Sequence, residues 1–177
     1  MQGRISTRID MRIKRRTLRR LLSLCGCLLA AVVPCAGEPA REDSFYRVRW
    51  ERVELPPVLV AGTTHRVLVT LRNASPEIWP DAQMADPVGR TAARAIRLSY
   101  RWWEGDRDVL LGDYAVRSDL PWPLRPGESI TLPLRVEAPG RAGRYRLQLD
   151  LVEELVGWFE PRGAARWITP IEVRPRR

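Results

Sequence analysis

The chain has 177 residues, 30 of them basic and 21 acidic, for a formal net charge of +9. The excess sits in one place: residues 1 to 20 carry Arg4, Arg8, Arg12, Lys14, Arg15, Arg16, Arg19 and Arg20 against the single acid Asp10. With that segment set aside, 22 basic and 20 acidic residues remain, which excludes the basic face that a nucleic-acid-binding domain keeps to release counterions from phosphate.

In chain order, the basic region passes into an uncharged run, Leu21 to Gly37, with small residues before a polar start. That tripartite pattern predicts a secretory signal over residues 1–37, cleaved after Gly37 with Cys35 at the minus-three position. The apolar stretch Leu21 to Ala36 has 16 residues, short of the roughly 20 that a bilayer span needs. Leu24, Gly26 and Cys27 resemble part of a lipidation motif, but Cys25 fits it poorly, and processing there leaves Leu28 to Val33 on the product. The expectation is an exported domain, residues 38–177, in the periplasm or at the cell surface. It touches a membrane only through an uncleaved leader. Cys25, Cys27 and Cys35 all lie in the leader, so the domain is expected to fold without disulfides, on a core that buries roughly two-thirds of its unfolded surface.

From Glu38 onward, short alternating runs recur between Pro and Gly punctuation. Phe45 to Val60 loses phase between Trp50 and Val53, predicting a bulge, and Pro56-Pro57 confines it to a sheet edge. His65 to Asn73 places Val67, Val69 and Leu71 on one face. After a loop, Ile96, Leu98, Tyr100 and Trp102 alternate with Arg97, Ser99 and Arg101, and Asp108 to Val116 is placed to return as a hairpin. Pro126-Gly127 suits the centre of a type II turn. It leads into a strand with Ile130, Leu132, Leu134 and Val136 inward and Pro133 outward, as an edge strand allows. Arg144 to Val152 and Arg166 to Val173 complete an all-β, immunoglobulin-like antiparallel sandwich of about seven strands.

Two stretches are more specific. Leu71-Arg-Asn73-Ala-Ser-Pro-Glu-Ile-Trp79-Pro80 resembles the strand, Asn-containing turn and Trp of the Ig-like four-tryptophan domain of the next-to-BRCA1 type. Ala138-Pro139-Gly-Arg-Ala-Gly143-Arg-Tyr145-Arg-Leu147-Gln-Leu149-Asp150-Leu151-Val152-Glu153, continuing to Trp158-Phe159, is similar to bacterial relatives found beside proteins of cell-surface polysaccharide synthesis. Val69 and Leu149 stand where the eukaryotic pattern has Trp. The resemblance implies a non-catalytic module that recognises a polymer or a protein, as an accessory of polysaccharide synthesis or export or as a subunit of an envelope complex.

The residues offer little catalytic chemistry. His65 is the single histidine, no Gly-x-Ser-x-Gly elbow occurs, and the isolated glycines form no phosphate loop. Neither a cofactor nor a metal is expected. Two acidic groups stand out: Glu104, Asp106 and Asp108 in one turn, and Asp150, Glu153 and Glu154 near the end of a strand, both read as solvated. Seven tryptophans are more informative. Trp50, Trp79, Trp102 and Trp158 are expected to pack; Trp103, on the polar side beside Arg101, and Trp122, between Pro121 and Pro123, are expected to be exposed. Trp103, Trp122 and Arg101 are therefore the candidate ligand-binding residues, for stacking on a sugar or filling a pocket on a protein. On that reading Trp102→Ala opens a cavity, whereas Trp103→Ala barely changes stability. Asn73-Ala-Ser75 matches a glycosylation sequon by chance.

Overall fold

The computed structural model describes residues 42–88, 93–105, 110–113 and 116–177; the leader expected over residues 1–37 and most of the Glu104 to Asp108 turn lie outside these. A 3-10 turn, Asp43–Tyr46, precedes β1 (Val48–Glu54), β2 (Val58–Val60) and β3 (Thr64–Asn73). A single helical turn, α1 (Ala82–Ala85), follows, with the Asp81 carboxylate accepting from Met84 N–H at 2.8 Å. Then come β4 (Ile96–Glu104), β5 (Leu110–Asp113), β6 (Ser118–Asp119), β7 (Ser129–Glu137), β8 (Gly143–Glu153), β9 (Gly157–Trp158) and β10 (Trp167–Arg174). A second 3-10 turn, Glu160–Arg162, separates the last two strands.

One sheet has the order β1-β3-β7 and the other β2-β10-β8-β4-β5, with β6 added to β4 and β9 to β8. With β1, β3 and β7 as strands A, B and E, and β4, β8 and β10 as C, F and G, this is the immunoglobulin topology. The expected first strand divides into two because the adjacent Pro56 and Pro57 offer no N–H to a ladder. The chain leaves the first sheet after Glu54 and rejoins the second at Val58, where β2 pairs in parallel with β10. The predicted bulge is present as a register shift between Trp50 and Arg52, and Pro133 lies on β7, an edge strand. The two-residue strands β6 and β9 are too short to show alternation and were not foreseen.

Inward residues of both sheets alternate as the pleat requires. Val67, Val69, Leu71, Leu132, Leu134 and Val136 meet Ile96, Leu98, Tyr100, Trp102, Leu147, Leu149 and Leu151 across the interior. The predicted turn at Pro126-Gly127 has Gly127 at φ +78° and a bond of 3.0 Å from Glu128 N–H to the Arg125 carbonyl. Asn73 is buried: its side-chain oxygen accepts from Ser75 N–H at 2.9 Å, and its amide nitrogen donates to Glu77 and Leu124 carbonyls, each at 2.8 Å. An asparagine so enclosed fixes the turn into Trp79, whose ring N–H donates to the Phe45 carbonyl at 3.0 Å. At the start of β8, Tyr145 donates its hydroxyl to the Arg141 carbonyl at 3.0 Å, the tyrosine corner of immunoglobulin-like strands F.

Candidate functional site

Alternation sends Ser99, Arg101, Gln148 and Asp150 to the outer face of β4 and β8, where solvent is expected, yet all four are buried. The segment between β8 and β10 and the residues around β6 fold over this face. Arg101 lies 4.0 Å beneath the Trp158 ring and donates to Asp150 Oδ2 at 3.1 Å. Burial pushes the Asp150 carboxyl up to about 7, against the pull of Arg101 and the backbone N–H groups of Leu151 and Glu160. Arg117 also approaches Trp158, at 5.1 Å, and donates to Ser99 Oγ and Glu154 Oε1. Two N–H groups in this layer, Arg101 Nε and Gln148 Nε2, have no acceptor within the described residues.

The expectation that the Asp150, Glu153 and Glu154 group is solvated is therefore corrected. Asp150 is clamped by Arg101. Glu153 is fully buried, its two oxygens taking bonds from Tyr46 OH at 2.7 Å and Arg94 at 3.0 Å. Glu154 pairs with Arg117. Each carboxylate is held by a structural partner rather than aimed at open space. The missing signal lay in the 3-10 turn that supplies Tyr46, far away in sequence.

The three candidate ligand residues have separate fates. Arg101 is buried in its ion pair, a correction to its expected exposure. Trp103 is half-buried, its ring N–H donating to Gln148 Oε1 at 2.8 Å. Trp122 is 53% exposed on the β6–β7 loop. That loop leaves from the Arg97 end of β4, since Arg97 pairs with Asp119, whereas Trp103 stands six residues along. At about 3.3 Å per residue the two indoles are roughly 20 Å apart along the strand and form no common platform.

Two other features were not foreseen. Where β6 meets β7, Ser118 donates its hydroxyl to the Pro133 carbonyl, and a groove of about 510 Å³ opens beside them. His65, Arg66, Arg135, Val116 and Pro133 are among its lining residues. In addition, Asn73 ends β3, Ile96 begins β4, Ser129 begins β7 and Glu153 ends β8 at the same end of the sandwich. The loops there expose Ile78, Met84, Val88, Trp122, Leu155 and Val156. Leu155, at 79% exposure, adopts φ +63°, a left-handed conformation that costs a leucine about 1–2 kcal/mol.

No protein-family profile and no curated protein matches the chain. Solved structures with a similar fold include the CARDB domain of PF1109 from Pyrococcus furiosus, determined in complex with di-metal ions. That match has 15% identity and a TM-score of 0.40, and covers 72% of this chain and 87% of that one. Native Escherichia coli alpha-2-macroglobulin matches at 20% identity and a TM-score of 0.37, over 72% of this chain but 7% of its own length. AvmM, described as catalysing macrocyclization in alchivemycin A biosynthesis, matches at 13% identity and a TM-score of 0.43, with 72% and 88% covered. The immunoglobulin-like fold rests on the strand order of this chain itself. Among the described residues, no three His, Cys, Asp or Glu side chains stand together as metal ligands, and no helix is long and apolar enough to cross a membrane.

Proposed function

We propose that this chain is an exported, non-catalytic binding module that recognises glycan, an accessory of bacterial cell-surface polysaccharide synthesis or export of the four-tryptophan type. The observation that carries the reading is Trp122: an exposed indole whose loop is stiffened by Pro121 and Pro123, so little entropy is lost when a sugar ring stacks on it. The structural pairing of Asp150, Glu153 and Glu154 supports the absence of turnover. Glycan-array binding of wild type and Trp122→Ala is the test. The variant should keep its stability within roughly half a kcal/mol and lose about tenfold or more in affinity. Unchanged glycan binding by a folded Trp122→Ala protein removes the basis for this reading.

A second reading, a protein-interaction or structural subunit of an envelope complex, is favoured by the apolar company of Trp122. Six exposed apolar side chains on three neighbouring loops suit a protein partner better than a sugar. Leu155→Glu separates the two, because it should abolish partner binding while leaving any stacked glycan in place.

A further inference from the structure

The groove beside Ser118 holds an unusual charge arrangement. Arg66 on β3 and Arg135 on β7 are directly opposite each other in the antiparallel ladder, and both line the groove. Like charges in that relation repel. Both side chains are exposed, and neither is ion-paired among the described residues, whereas Arg117 on the facing lip gives its charge to Glu154. The two guanidinium groups share the groove with the apolar Val116 and Pro133, in a space within the range of small-molecule sites.

We propose that this groove binds the carboxylate of an acidic sugar, a uronate unit of a glycan chain, between Arg66 and Arg135. Guanidinium forks match a carboxylate bidentately, and an intervening anion converts their repulsion into shared attraction. The apolar part of the groove fits a sugar acid better than a bare anion. Val116 and Pro133 offer a surface for the C–H face of the ring. The inference rests on the glycan reading above and adds a charge class for the glycan and a second contact site apart from Trp122.

Calorimetric titration of the protein with tetragalacturonate, a neutral glucose tetrasaccharide and a short poly-glutamate peptide tests it. Tetragalacturonate should bind selectively, with an affinity that falls as salt rises. Arg66→Ser and Arg135→Ser should each weaken it about tenfold and the double variant abolish it, whereas Arg125→Ser, an exposed arginine outside the groove, should change nothing. Unfolding curves confirm that these surface variants fold. If the neutral tetrasaccharide binds equally well, or if the groove substitutions have no effect, the acidic-sugar site is overturned while the glycan reading stands. If no saccharide binds, both are overturned. If poly-glutamate binds in place of the saccharide and is lost in the same variants, the groove is a protein-docking site and the proposal is overturned.

Discussion

Burying Asp150 beside Arg101, which itself lies beneath Trp158, sets burial, which favours a neutral carboxyl, against a guanidinium 3.1 Å away, which favours an ionised one. Burial prevails, and the folded carboxyl titrates near 7. An unfolded Asp ionises near 4. Between these values the native state retains a proton that the unfolded chain has released. The contribution of Asp150 to stability is thus complete below about pH 4 and declines as pH rises to 7, by about 1 kcal/mol per pH unit. Urea unfolding from pH 5 to 8 should show this decline in wild type and a flatter profile in Asp150→Asn; identical slopes would falsify the assignment. The residue scale was the least legible in sequence. Alternation identified Arg101 and Asp150 as outward-facing but carried no sign that a later loop covers that side.

The element most fully anticipated is β4. Its alternating run indicated which side chains enter the core, and Trp102 is fully buried there. Its ring N–H also crosses the sandwich to donate to the Glu137 carbonyl at 2.8 Å, while Tyr100 OH accepts from Glu137 N–H at 2.9 Å. Two aromatics of one sheet thereby hold the last residue of β7 in the other. Its outer side differs from expectation, because Trp103 leans on Gln148 instead of standing in solvent. Trp102→Ala should cost about 3 to 5 kcal/mol. Trp103→Ala should cost about 1 to 3 kcal/mol, since it leaves a buried amide oxygen without its donor, and Trp103→Phe should show most of the same loss. Denaturant midpoints for the three variants decide it. A Trp103→Ala protein as stable as wild type means that this hydrogen bond contributes nothing net.

At the scale of the whole molecule, turn chemistry and period-two patterning were enough to indicate two antiparallel sheets, because Pro126-Gly127, Pro133 and the Trp50 bulge each enforce a local geometry. Apart from the β4–β5 hairpin, which was placed from the sequence and forms, the pairing of strands was not written in any such local signal. The clearest case is Pro56-Pro57: the strands on either side, β1 and β2, are both edge strands as the prolines require, but no local signal says that the chain passes there from one sheet to the other. The handover leaves β2 parallel to β10, with Glu172, Val173 and Arg174 beside Val58, Leu59 and Val60. In a parallel pair of this kind, tension applied to the two ends of the domain draws the strands past each other along their length. The hydrogen bonds between them are loaded together, whereas a hairpin pulled at its open end is unzipped one bond at a time. In single-molecule stretching, the sandwich should therefore open in one high-force step. Leu59→Pro, which disrupts the middle of β2, should lower that force well beyond its effect on unfolding in urea. A domain so connected resists mechanical load as a clasp does, by shear.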